Sequence, residues 1–126
     1  KKLLIPAKIT EIKSYAFAYS GLEEIEFAAG SELVSIGYGA FYDCKDLIET
    51  ISIPSTVTSI GDAAFWASKI ISINIPSSVE AFDAENVFYD TPCDNKDIFQ
   101  PGTAVENCEI VTKPPTIVTS SPTTFP

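Results

Sequence analysis

VTSIGDAAFWASKIISINIP, residues Val57–Pro76, is the stretch whose reading decides the fold. It contains Ile60-Gly61-x-x-Ala64-Phe65, followed by Ile73-x-Ile75-Pro76. The same motif stands upstream as Ile36-Gly37-x-x-Ala40-Phe41, and in worn form as Ile12-x-x-x-Ala16-Phe17. The Ala-Phe pairs begin at 16, 40 and 64, a step of 24 residues taken twice. A fainter copy follows as Phe82 and Val87-Phe88. A fixed period of this size marks a repeat protein, in which one unit cannot bury its apolar side alone and must stack on its neighbours.

Working outward, the first repeat runs from Ile9 and Ile12 through Phe17 and Leu22 to a strand at Ile25-x-Phe27. The second runs from Leu33 through Phe41 and Leu47 to Ile51-x-Ile53-Pro54, and Leu3-x-Ile5-Pro6 closes a strand before the first. The alternation Ile-x-Ile puts two apolar side chains on one face of a short strand and leaves the intervening residues outward. Glu24, Glu26, Ser52 and Asn74 are therefore candidate outward contact residues. Proline cannot donate to a ladder, so it ends each strand. Gly37 and Gly61 are read as turn formers ahead of Ala-Phe. Alanine lets the backbone approach, and phenylalanine fills the interior against the next phenylalanine.

Composition narrows the function. The chain has 126 residues, 45% of them apolar, enough for one domain with a core plus a tail. Its net charge is −9, all eight basic residues are lysines, and histidine and arginine are absent. Binding to nucleic acid or to an anionic membrane needs a basic patch and is disfavoured. No apolar run is long enough to insert in a membrane. A chain that opens on the lysines and the strand Leu3–Ile5 is read as processed or trimmed, with a signal sequence removed.

These motifs resemble the BspA-type leucine-rich repeat, whose consensus runs Ile-Pro-x-Ser-Val-Thr-x-Ile-Gly-x-x-Ala-Phe-x-x-Cys-x-x-Leu-x-x-Ile-x-Ile-Pro. Ile53-Pro54-Ser55-Thr56-Val57-Thr58-Ser59-Ile60-Gly61-Asp62-Ala63-Ala64-Phe65 follows it closely, Ala40-Phe41-Tyr42-Asp43-Cys44-Lys45-Asp46-Leu47 supplies the Cys-x-x-Leu part, and Ile75-Pro76-Ser77-Ser78-Val79 opens another copy. The resemblance covers residues 3–90 and departs at Ser20 and at Ala67 or Ser68, where cysteine is usual. It implies an α/β-type repeat solenoid: a short right-handed coil with a parallel β-sheet on one face, about three to four coils and few or no regular helices. It also implies an extracellular or cell-surface protein used in adhesion and protein contacts, with no catalytic residues and no cofactor to carry over.

The expected organisation is residues 1–90 as leucine-rich repeats, 91–112 as a polar, turn-rich C-terminal cap, and 113–126 as a Ser/Thr/Pro-rich extended tail. Cys93 and Cys108 lie beyond the clear repeats, either as a disulfide that pins the cap or as two buried thiols. Cys44 sits inside a repeat, where a small thiol packs well. In the tail, Thr116, Thr119, Ser120, Ser121, Thr123 and Thr124 are candidate O-glycosylation acceptors, with a bare linker as the alternative. Thr116-Ile117-Val118-Thr119 has the composition of a strand that docks on an open sheet edge of its own repeats or of a neighbouring subunit. With an open edge at Leu3–Ile5, that strap makes a head-to-tail filament one reading; a fragment of a longer repeat protein is the other.

Candidate chemistry is sparse. Without histidine there is no Ser-His or Cys-His nucleophile. Glu23, Glu24 and Glu26 offer a carboxylate pair of the glycosidase kind or a solvated face. Asp90, Asp94, Asp97 and Asn95 offer oxygen ligands for calcium or a solvated turn, and no zinc spacing exists. Tyr42 and Trp66 each follow a core phenylalanine and, with Tyr38 nearby, either pack between coils or present rings to a sugar or a partner chain. The sequence thus points to a non-catalytic surface module that assembles with itself into a fibre or surface layer. The alternative is an adhesin that binds another surface protein or a glycan.

Overall fold

The structure, a computed structural model, describes residues 1–112. Two columns of short parallel strands form its frame. The first holds β1 (Lys2–Ile5) and β3 (Glu24–Phe27), parallel with Lys2 opposite Glu24 and Ile5 opposite Phe27, then β5 (Ile51–Ser52) and β7 (Ile73–Ile75), parallel with Ile51 opposite Ile73. Ile25, Ile51, Ile53, Ile73 and Ile75 face inward and are buried, while Glu26, Ser52 and Asn74 are exposed, as a period of two requires. The second column, β2 (Glu11–Ile12), β4 (Ser35–Ile36) and β6 (Ser59–Ile60), lines up Ile12, Ile36 and Ile60. This second column is absent from the sequence reading, because two residues are too few to show an alternation.

The turn carrying Ala-Phe is the third side of each repeat, and its backbone is bonded from repeat to repeat. Phe17 N–H donates to Ala40 O at 2.9 Å, Phe41 N–H to Ala64 O at 2.8 Å, and Phe65 N–H to Val87 O at 3.1 Å. The rings beneath follow the same step: Phe17–Phe41, Phe41–Phe65 and Phe65–Phe88 each stack with centroids 5.5 Å apart. Phe41, Phe65 and Phe88 are fully buried, and truncating such a side chain costs about 3–5 kcal/mol.

The glycines act differently from the expectation. Gly37 and Gly61 are not the positive-φ positions; those fall at Tyr15 (57°), Gly39 (58°) and Ala63 (59°), and again at Tyr19 (61°), Asp43 (58°), Ala67 (60°) and Asp90 (60°). Each repeat therefore bends at recurring left-handed residues, mostly non-glycine, held by the inter-repeat bonds on either side. What Gly37 and Gly61 supply is close approach. A Cβ on Gly61 would lie 2.6 Å from the backbone nitrogen of Tyr38, and one on Gly37 would lie 2.8 Å from Ile12 O.

The C-terminal part is more ordered than a turn-rich cap. A single turn of helix, α1 (Ala84–Val87), is capped by Asp83, whose carboxylate accepts from Glu85 N and Asn86 N. A 3-10 turn at Lys96–Ile98 follows, capped by Asn95, and Phe99 stacks on Phe88 at 4.1 Å, closing the phenylalanine column. The chain then returns as β8 (Thr103–Glu106), antiparallel to β7, and β9 (Glu109–Thr112), antiparallel to β8. Asn107 and Cys108, both at positive φ, form a two-residue hairpin of the kind that matches strand twist. Cys108 is joined to Cys93, and its N–H donates to Ile71 O at 2.9 Å. Pro101, Gly102 and Asn107 conceal these strands in the sequence because they bound a run of only four residues.

Two outcomes are expected. Gly61→Ala should lower stability by roughly 1–3 kcal/mol, read as a lower urea midpoint, whereas Gly21→Ala, with nothing within 4 Å of its Cβ, should leave it unchanged. A Cys93→Ser/Cys108→Ser chain should lose about 3 kcal/mol, the chain-entropy value for a loop of this length.

Candidate functional site

The residue after each core phenylalanine must face away from the interior, and the repeat step places these residues in line. Tyr42 follows Phe41, Trp66 follows Phe65 and Tyr89 follows Phe88. Tyr42 and Trp66 stack at 5.9 Å, and Trp66 meets Tyr89 at 4.5 Å. The preceding repeat extends the row: Tyr19 lies 5.6 Å and Tyr15 6.0 Å from Tyr42, and Tyr15 meets Tyr38 edge-on at 5.4 Å. The Tyr15 phenol is held above the ordinary tyrosine range, first by its hydrogen bond with Tyr38 and then by desolvation. Tyr15, Tyr38 and Tyr89 remain about half exposed and Tyr19 is 68% exposed, while Tyr42 and Trp66 are half-buried and stacked on their neighbours, so the row both packs between repeats and reaches the surface.

Sequence reading brought Tyr38, Tyr42 and Trp66 together but missed Tyr15, Tyr19 and Tyr89. The signal for Tyr89 was its offset from Phe88, the same as that of Trp66 from Phe65. Tyr15 and Tyr19 join only because both sit at left-handed bends that aim them along the row.

The strand side presents the other outward candidates. Lys2 Nζ lies 2.5 Å from Glu26 and 4.0 Å from Glu24, and Asn74 Nδ2 donates to Ser52 Oγ at 3.1 Å. Glu23 pairs with the N-terminal amine, which lowers its pKa. Asn95 is engaged as a helix cap through Asp97 N–H, and the described residues hold no group of three or more His, Cys, Asp or Glu placed to share a metal ion. The candidate acceptors Thr116, Thr119, Ser120, Ser121, Thr123 and Thr124, and the strand Thr116–Ile117–Val118–Thr119, lie outside the described residues.

A second column explains the cysteine position. The Cys44 thiol donates to Phe17 O at 3.2 Å and meets Ser20 Oγ at 3.5 Å. Ser68 Oγ donates to Phe65 O at 2.9 Å, and Thr91 Oγ to Phe88 O at 2.8 Å. Ser68 and Thr91 thus satisfy the carbonyl of their own repeat's phenylalanine, Cys44 satisfies that of the preceding repeat, and Ser20, where the consensus has cysteine, meets the Cys44 sulfur. Burial pushes the Cys44 thiol above its ordinary range, with Ser20 opposing. It is a packed thiol and a poor nucleophile.

The repeat grammar extends beyond the motifs quoted from the sequence: residues 1–110 match the model of the BspA type leucine-rich repeat region, in six copies. The chain belongs to the BspA-type leucine-rich repeat family. Among solved structures, the crystal structure of the pneumococcal vaccine antigen PcpA is similar, with a TM-score of 0.55 and 27% identity over 71% of this chain. The match spans 28% of that antigen's chain. No curated protein gives a match. Among the described residues, no helix is long and apolar enough to cross a membrane.

Cys44 gives a test of the second column. Its raised pKa means that the folded state keeps a proton that the unfolded state loses first. Its stabilising contribution is therefore present below the ordinary thiol pKa and lost as pH rises through and above it. The stability of the wild-type chain should fall more steeply in that alkaline window than that of Cys44→Ser, measured by urea unfolding at stepped pH. Ellman's reagent should leave Cys44 unmodified in the native state.

Proposed function

We propose that this chain is an extracellular, cell-surface repeat module that works without catalysis, through contacts with other proteins, and that the aromatic row is its contact face. The observation that supports this is the row itself: Tyr15, Tyr19, Tyr38, Tyr42, Trp66 and Tyr89 aligned by the repeat step, with four of them among the exposed large hydrophobic residues. Tyrosine and tryptophan dominate the energetics of protein interfaces, and clustered exposed rings mark such sites. Membership of the BspA-type family and likeness to a vaccine antigen support the surface location. In this reading residues 1–90 form a right-handed solenoid, 91–112 cap it and 113–126 extend from it.

Self-assembly into a fibre or surface layer is the second reading, and a different observation favours it. An apolar groove of about 330 Å³ lies at the first repeat, lined by Leu3, Leu4, Ile9, Ile12 and Phe17 among others, beside the outer edge of β1. Strand β9, from which the tail continues, runs in the same direction as β7 after two antiparallel steps. A tail strand Thr116–Thr119 from one subunit would fill that groove on the next.

One experiment separates the readings: negative-stain microscopy and sedimentation of the full chain, together with binding to panels of purified extracellular proteins and to a glycan array. Protein binding by a monodisperse chain, lost in Tyr42→Ser/Trp66→Ser with an unchanged melting temperature, is the expected result. Fibres that disappear in Ile117→Asp/Val118→Asp would favour self-assembly. Binding confined to glycans would overturn the protein-contact reading.

A further inference from the structure

Three aspartates stand next to rings of the row in the chain or one repeat on from one. Asp43 follows Tyr42 and Asp90 follows Tyr89, both at the recurring left-handed bend, with φ of 58° and 60°. Asp62 stands one repeat on from Tyr38, and its carbonyl accepts from Gly39 N–H at 2.9 Å. Between these acids the chain has already placed one ammonium group. Lys45 Nζ lies 2.5 Å from Asp43 Oδ1, and its pKa is held up first by that hydrogen bond and more weakly by the charge of Asp90. The Lys45 side chain is 69% exposed and that of Asp43 23%, so an incoming cation displaces a mobile ammonium from a half-buried carboxylate.

We infer that the aromatic row docks a cationic polypeptide segment, whose arginine or lysine side chains lie against the exposed rings while Asp43, Asp62 and Asp90 neutralise their charge. This rests on the row being the contact face. Tryptophan and tyrosine are the rings that attract cations best, and the aspartates that follow Tyr42 and Tyr89 add a charge-assisted hydrogen bond to the same group. Long-range charge selects the same partner. A chain of net charge −9 without arginine steers basic segments toward itself. It repels nucleic acid, anionic membrane and a second copy carrying the same charge. A neutral glycan would use the rings and gain nothing from the aspartates.

Trp66 is the only tryptophan in the chain, so its fluorescence reports directly on the site. The full-length chain is titrated with fluorescein-labelled oligoarginine, oligoglutamate and chitohexaose at about 0.15 M salt, where surface charges more than a Debye length apart are screened. Peptide anisotropy and Trp66 emission are both read. Oligoarginine alone should bind and perturb Trp66. Tyr42→Leu/Tyr89→Leu keeps apolar volume but removes the ring quadrupole, and should weaken binding roughly 5- to 30-fold. Asp43→Asn/Asp90→Asn should weaken it more than Glu24→Gln/Glu26→Gln, which removes the same formal charge from the strand face. Should the leucine pair fail to fold by circular dichroism, the two charge pairs still decide. Equal losses from the two charge pairs would reduce the effect to net charge and overturn the inference. A Trp66 response to chitohexaose and not to oligoarginine would overturn the partner class while leaving the row as a contact face. If no probe perturbs Trp66 and the Tyr42→Ser/Trp66→Ser chain binds the panel proteins like wild type, the contact-face reading falls with it.

Discussion

This structure depends on each repeat bonding to the next on at least two sides at every step, the short second strand column or the Ala-Phe turn always among them, while the longer strands pair as β1–β3 and β5–β7 with no pairing between β3 and β5. Parallel strands pair in two columns, and the turn between them donates its own N–H groups to the following repeat, as Phe17 does to Ala40 and Phe41 to Ala64. Buried backbone groups must find partners. A segment bent at successive left-handed residues satisfies alternate N–H groups within the turn, as Ala40 does on Gly37 O, and the others on its neighbour, as Phe41 does on Ala64 O. The phenylalanine stack fills the space that this register encloses, with the same 5.5 Å spacing at three consecutive steps. Gly37 and Gly61 permit the approach, because any Cβ there would strike the backbone of the repeat before.

That register also makes function repetitive. A side chain that faces outward in one repeat is aligned with its equivalents in the others, so single choices at scattered sequence positions become rows. The aromatic row and the column of Cys44, Ser68 and Thr91 donors are two such rows. Loss of the consensus cysteine costs little as long as a hydroxyl remains to satisfy the phenylalanine carbonyl.

The end of the repeats shows the same constraint handled another way. Strand β7 would expose Ile73 and Ile75 backbone groups beyond the last parallel pairing. The β8–β9 hairpin covers them antiparallel, with Val105 opposite Ile73. Phe99 finishes the ring stack, and the Cys93–Cys108 bridge ties the hairpin turn to the segment after α1. Here the strand direction changes from parallel to antiparallel.

By itself the sequence determined the period, the family, the inward isoleucines and phenylalanines, and the outward character of Glu26, Ser52 and Asn74, because burial at a fixed spacing writes itself into apolar residues. The tertiary structure decided the rest. It supplied the second strand column, whose two-residue strands are stabilised only by pairing with other repeats. It gave the close-approach role of Gly37 and Gly61, which depends on atoms 24 residues away. It placed Tyr15, Tyr19 and Tyr89 in the aromatic row and formed the closing hairpin, since backbone bends and long-range pairing leave no local periodicity to read.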